Sequence, residues 1–270
     1  MKKLLAILVT VFCASSVVAD PAPEPPAELA PSRELTGMSR SEAIESMAQG
    51  VLEFKKFPNT DISNWYSCGE YVPDEEQLDV ARHWASTVYD TLASYNKEYG
   101  TEVPVWGVFA VVMNESGMDE CAVDFRTRNV LYGLGLLKKA RNHITHSRDE
   151  IKKALRSPKW SKWAKSASYA HGKPVGVDIG AMQLRYSWGR VSSKLLDKML
   201  TLDGSLSVAI PEMLRRSKEY PVGKRGDKKP HPRPWVLWPG TPPQSAKSLW
   251  YDKRITKLAR KVLGAPSDVI

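Results

Sequence analysis

The chain has 270 residues, a formal net charge of +9 and 42% hydrophobic residues, a size that suits one catalytic domain with additions. No stretch after the N-terminus is apolar for the ~20 residues that a membrane helix needs, so no transmembrane anchor is expected. His143, His146, His171 and His231 show no ligand spacing with acids or cysteines, so neither a metal nor a cofactor is expected.

The chain opens on Lys2-Lys3, an apolar run from Leu4 to Val11 and small residues ending at Ala19. This is the pattern of a secretory signal peptide over residues 1–19, cut before Asp20, and it predicts an exported protein, periplasmic or secreted. The chain beyond it keeps only Cys68 and Cys121, an even pair in an oxidising compartment. A disulfide between them is expected, with two free buried thiols as the alternative. Residues 20–38 are rich in Pro, Ala and Glu and predict a disordered leader that cannot form a core.

Order is expected from Ser39, which is spaced for a capping box with Glu42 and followed by Ile44, Met47, Ala48, Val51 and Leu52 on one helical face. Asn59 to Tyr71 reads as a turn-rich connection. Pro73 to Glu76 then starts a second helix, with Ala81, Trp84, Ala85, Val88, Leu92 and Tyr95 in its apolar stripe and Gly100 as its stop.

Pro104 suits a helix start, and the run Val105 to Asn114 is apolar nearly all round. Such a segment is buried, as a helix or, on periodicity alone, as a strand. It ends in one acid, Glu115. A carboxyl where a greasy segment surfaces is partly desolvated, which raises its pKa and lets it hold a proton near neutral pH, as a general acid must. Composition alone would equally give a carboxylate that solvates a helix end.

The segment Phe125 to Val177 carries 13 Lys and Arg against Asp149 and Glu150, so the positive charge is concentrated there. Leu134, Leu136, Leu137, Ile144, Ile151 and Leu155 support one or two amphipathic helices, and Trp160, Trp163 and Tyr169 interleave with lysines. After Gly180-Ala181-Met182-Gln183, a short helix holds Leu195-Leu196 and Met199-Leu200. Asp203 caps another that contains Pro211, a candidate kink. Lys218 to Arg233 reads as a basic loop, and Lys247 to Leu263 as a closing basic amphipathic helix.

Glu115-Ser116-Gly117 with Ala122-Val123, followed by Gly180-Ala181-Met182-Gln183, resembles the lytic transglycosylase family, whose members carry a Glu-Ser-Gly-Phe-type motif and then a Gly-Leu-Met-Gln motif. Met118 stands for the aromatic and Ala181 for the leucine. The family's Tyr-Asn-x-Gly motif has Leu237-Trp238-Pro239-Gly240 as its nearest counterpart, without the Tyr or the Asn. The resemblance runs from about Val103 to the C-terminus with a gap in the middle. It implies a mainly α, lysozyme-like (goose-type) domain over residues 39–270 with a basic helical insertion at 125–177, and it makes Val105–Asn114 a helix.

By the same resemblance, Glu115 is the catalytic acid and Ser116 positions the substrate or the glutamate. Gly180, Met182 and Gln183 belong to the floor of a glycan cleft, and Trp238 closes its far side. The implied reaction cuts the MurNAc–GlcNAc β-1,4 bond of peptidoglycan to give 1,6-anhydro ends. The implied partners are glycan strands, with other anionic wall polymers at the basic insertion and no nucleic acid. The alternatives are a hydrolytic lysozyme drawing a second carboxylate from Asp119, Glu120, Asp124 or Asp178, a non-catalytic wall-binding protein, and a basic exported protein that binds nucleic acid or lipid headgroups.

Overall fold

The computed structural model describes residues 38–54, 65–139, 146–188, 191–219, 233–237 and 245–266, all within one compact unit, Pro31–Ile270. The expected signal peptide, all but the last residue of the expected leader, most of the expected basic loop after Lys218, Ile144 and Trp238 lie outside these residues. Among the described residues the protein is mainly helical, with nine α-helices and two short β-hairpins.

Helix α1 (Arg40–Phe54) starts at the capping box: the Ser39 N–H donates to the Glu42 carboxylate at 2.9 Å and the Glu42 N–H to Ser39 Oγ at 3.3 Å. Its apolar stripe packs on α2 (Gln77–Tyr99), which stops where Gly100 enters the left-handed region at φ 59°. The turn-rich segment before α2 holds a two-residue hairpin, β1 (Tyr66–Ser67) with β2 (Glu70–Tyr71).

Helix α3 (Val105–Ser116) is buried at every position from Val105 to Met113. Burying one Val or Phe is worth ~1.5–3 kcal/mol, so a helix with no polar side can only run through the middle. Neighbours therefore cover it on several sides. Helices α1, α2 and α9 (Ala246–Lys261) pack against it, as does a 3-10 turn at Pro234–Leu237. Helix α8 (Leu202–Glu219), which runs through Pro211 and is led by α7 (Ser193–Met199), completes this core against α2.

A second apolar cluster sits under the basic segment. Helix α4 (Phe125–Gly133), α5 (Arg148–Leu155) and α6 (Pro158–His171) bury Leu131, Ile151, Leu155 and Trp160 together with Val177, Ile179, Leu196 and Met199. The expectation here was one or two amphipathic helices on the leucines and isoleucines from Leu134 to Leu155, within a basic insertion at 125–177. There are three helices, and the last residues of the segment already belong to strand β3 (Gly176–Ile179), which pairs antiparallel with β4 (Leu184–Ser187). Four residues alternating half-buried and buried are too short a pattern to register against the helical background.

Gly107 fixes how α3 and its cover fit. A Cβ there would lie 2.2 Å from the ring of Trp235, so the indole rests directly on the helix backbone, and it is fully buried. Its Nε1 donates to Asp252 of α9 at 2.9 Å, which ties α9 to the same spot. Gly107→Ala is expected to push Trp235 outward and to lower unfolding stability by about 1–3 kcal/mol. A urea titration comparing the variant with wild type measures this, and an unchanged midpoint would contradict the packing described.

Candidate functional site

The site is built on the end of α3. The helix terminates because Gly117 and Met118 both take positive φ, 60° and 67°, turning the chain away one and two residues after Ser116. The Ser116 hydroxyl donates to the Val112 carbonyl at 2.9 Å and accepts from the Met118 N–H at 3.2 Å. Ser116 is therefore spent on terminating the helix, and Glu115 lies half-buried at its last turn.

The segment that follows is pinned on several sides. Trp65 Nε1 donates to the Met118 carbonyl at 3.0 Å, and Cys68 forms a disulfide with Cys121, Cα to Cα 4.8 Å, across 53 residues. Closing a loop of that length restricts the unfolded chain by about 4 kcal/mol. Asp119, buried between the two halves of the bridge, accepts the N–H groups of Cys68 at 2.8 Å and Cys121 at 3.0 Å. Burial pushes its carboxyl up to about 6 against those hydrogen bonds. Cys68, Asp119 and Cys121 are within metal-ligand reach of one another, but their sulfurs are joined to each other.

Both motifs meet here. The Ala122 carbonyl accepts the Gly180 N–H at 2.8 Å and the Gln183 side-chain amide at 2.8 Å. Val123 forms a β-bridge with Ile179, and the Asp124 N–H donates to the Asp178 carbonyl at 3.0 Å. Gly180 turns at φ 83°, and a Cβ there would fall 2.1 Å from the Met199 carbonyl, a corner only glycine fits. Met182 is fully buried in the main core and Ala181 beside it. Gln183, half-buried at φ 49°, also donates to the Gly180 carbonyl at 3.0 Å. Gly180 and Gln183 thus lock one motif to the other, and the Met182 side chain is sealed beneath them.

The residue sequence reasoning missed is Tyr251. It lies on α9, is buried, and its hydroxyl donates to Glu115 Oε1. The Asn114 amide donates to the same oxygen at 3.0 Å, and Arg254 Nε donates to Asn114 Oδ1. Burial raises the Glu115 pKa above the usual carboxylate range, opposed by the hydrogen bonds from Tyr251 and Asn114. The charge of Asp178 adds to the rise, and that of Arg254 opposes it. Burial, with the neighbouring Glu115 charge, holds Tyr251 far above its ordinary pKa, so it stays a neutral donor. One step earlier on α9 the exposed Trp250 lies against the Arg254 guanidinium, 5.5 Å from ring centroid to carbon.

The four acids named as second carboxylates all have other work. Asp119 caps the disulfide segment, and Glu120 pairs with Arg148 at 3.0 Å. Asp124 caps α4 by accepting from the Arg126 and Thr127 N–H groups, and Asp178 forms a two-pronged pair with Arg185 at 2.8 and 2.9 Å. The charge of Asp178 is among the causes that raise the Glu115 pKa. The arrangement is one protonatable carboxyl at a helix end, oriented by a phenol and an amide.

Comparison of the chain with protein-family models, with curated proteins and with solved structures gave no match.

The balance at Glu115 has a testable sign. Because the Tyr251 hydroxyl favours the carboxylate, Tyr251→Phe is expected to move the Glu115 pKa still higher, not back toward the ordinary value. Carbon-13 NMR titration of the glutamate carboxyls reads this directly. A Glu115 that titrates at the ordinary value in wild type, or that shifts down in the variant, would contradict the geometry.

Proposed function

We propose that the protein is a lytic transglycosylase that cuts the MurNAc–GlcNAc bond of peptidoglycan, with a lysozyme-like arrangement of its helices around the buried α3. The observation that carries the reading is the single half-buried carboxyl at the end of α3, its pKa raised by burial and its orientation set by Tyr251. Breaking a glycosidic bond needs a proton for the leaving oxygen and a group to stabilise the cationic sugar centre. Glu115 delivers the proton. The substrate's own 2-acetamido group supplies the second role, and the Glu115 carboxylate then takes the C6 hydroxyl proton as the 1,6-anhydro ring closes.

That route needs one carboxylate, which fits the commitments of Asp119, Glu120, Asp124 and Asp178 to structural partners. The tyrosine the resemblance lacked at Leu237 to Gly240 has a functional counterpart in Tyr251, which touches the acid directly. Trp250 offers an exposed ring for a sugar face, next in sequence to the residue that holds the acid.

Mass spectrometry of digested peptidoglycan is expected to find 1,6-anhydro ends with wild type and none with Glu115→Gln. Reducing ends would replace the lyase by a hydrolase, and equal turnover by the variant would remove Glu115 from the chemistry. Activity is expected to persist above the ordinary glutamate pKa and to fall as pH rises through the raised value, because the acid must carry its proton. Trp250→Ala is expected to raise KM by about two- to tenfold, the worth of one aromatic contact of ~0.5–1.5 kcal/mol, with kcat little changed. Steady-state kinetics on soluble glycan strands measures both parameters, and an unchanged KM would exclude the ring from binding.

A further inference from the structure

Tyr251 and Arg254 stand three residues apart on α9, so one turn of that helix meets the end of α3 twice. The Tyr251 hydroxyl donates to Glu115 Oε1, and Arg254 Nε donates to Asn114 Oδ1. A guanidinium has donors and no acceptor. Facing it, the Asn114 amide can present only its carbonyl oxygen, which sends its NH2 group the other way, to Glu115 Oε1 at 3.0 Å. The same amide favours the ionised form of Tyr251, as a donor to the phenol oxygen does. Turned over, the amide would set its carbonyl against the oxygens of Glu115 and Tyr251 and its NH2 against a cation.

This arrangement decides where the proton of Glu115 sits. A carboxylic acid has one oxygen that carries the hydrogen and one that only accepts. Oε1 accepts twice, from the phenol and from the amide, which occupies both of its lone pairs. Among the described residues nothing hydrogen-bonds Oε2. The proton therefore belongs on Oε2, the oxygen without a protein partner. The charges of Asp178 on β3 and Arg254 on α9 both act on this carboxyl, in opposite directions, but neither chooses between its two oxygens. The amide does, and the arginine sets the amide.

We propose that Arg254 is a positioning residue: acting through the Asn114 amide, it keeps the Glu115 proton on Oε2. What the proton is for rests on the peptidoglycan reading above. In that reaction the Oε2–H bond breaks as the leaving oxygen gains its hydrogen, and the C6 hydroxyl returns a proton to Oε2 as its oxygen bonds to C1. With the amide free to turn, its carbonyl can accept a hydrogen carried on Oε1, and the proton is then divided between an oxygen that serves the substrate and one that does not.

Carbon-13 NMR titration of Glu115 in the full-length protein tests the placement without any substrate. Arg254→Met is expected to raise the Glu115 pKa, because a freed amide offers its carbonyl to the protonated acid in place of an N–H to the carboxylate. Arg254→Lys keeps a donor with no acceptor and is expected to lie closer to wild type. Loss of the guanidinium charge alone would also raise the pKa, so the decisive comparison is Arg254→Met in an Asn114→Leu background. There the arginine has no amide to hold, and the further rise is expected to be less than about half of that in the wild-type background. Equal rises in the two backgrounds, or no rise with Arg254→Met, overturn the proposal. Arg254 is exposed, and a thermal melt checks that each variant folds. On glycan strands Arg254→Met is expected to lower kcat about tenfold, part of the ~10²–10⁴-fold that a general acid supplies, with KM little changed. An unchanged kcat overturns the proposal as well. The expected titrations in a protein that releases no 1,6-anhydro ends uphold the positioning role and overturn the enzyme reading.

Discussion

The hydroxyl of Tyr251 reaches Glu115 across 136 residues of sequence, and much of the fold serves to make that contact possible. Helix α3 is apolar on every side, so it must be enclosed, and α9 is one of the elements that enclose it. The missing side chain at Gly107 lets the Trp235 ring down onto the helix, and Asp252 takes the indole N–H one residue after Tyr251. Because the phenol is buried and far from ionising, it acts as a fixed donor to an acid whose own burial raises its pKa.

The outgoing chain is held as firmly as the helix. Two successive positive-φ residues turn it, the Trp65 indole catches it, and the disulfide and the buried Asp119 fasten it to the β1–β2 hairpin. Ala122 and Val123 then receive Gly180 and Ile179, so two motifs some sixty residues apart meet through backbone hydrogen bonds and a β-bridge. Their side chains have divided duties. Ser116 and Gln183 satisfy backbone groups, Met182 fills the core, and Glu115 is held half-buried at the helix end by Tyr251 and Asn114.

The basic segment Phe125 to Val177 is more than a charged face. It owns a small apolar core with Trp160 at its centre, and part of its charge is neutralised by specific acids: Lys152 and Arg156 by Asp197, Arg148 by Glu120.

Local rules were enough for the first two helices. The Ser39–Glu42 box and the Gly100 stop set α1 and α2 close to where they lie, because capping and left-handed glycine act over a few residues, whereas the apolar run after Pro104 fixed the burial of α3 and left its choice of helix over strand to the resemblance. The placement of Glu115 at a helix end and the pairing of Cys68 with Cys121 were readable in the same way. Tyr251 was not, since Trp250-Tyr251-Asp252 lacks the Asn and Gly of the motif being sought. Its one clue was a tyrosine on the buried face of the last helix with Ile255 and Ala259, where a hydroxyl must find a partner. Which partner depended on how α9 packs on α3, and a contact of that range is decided by the packed whole, not by any window of sequence.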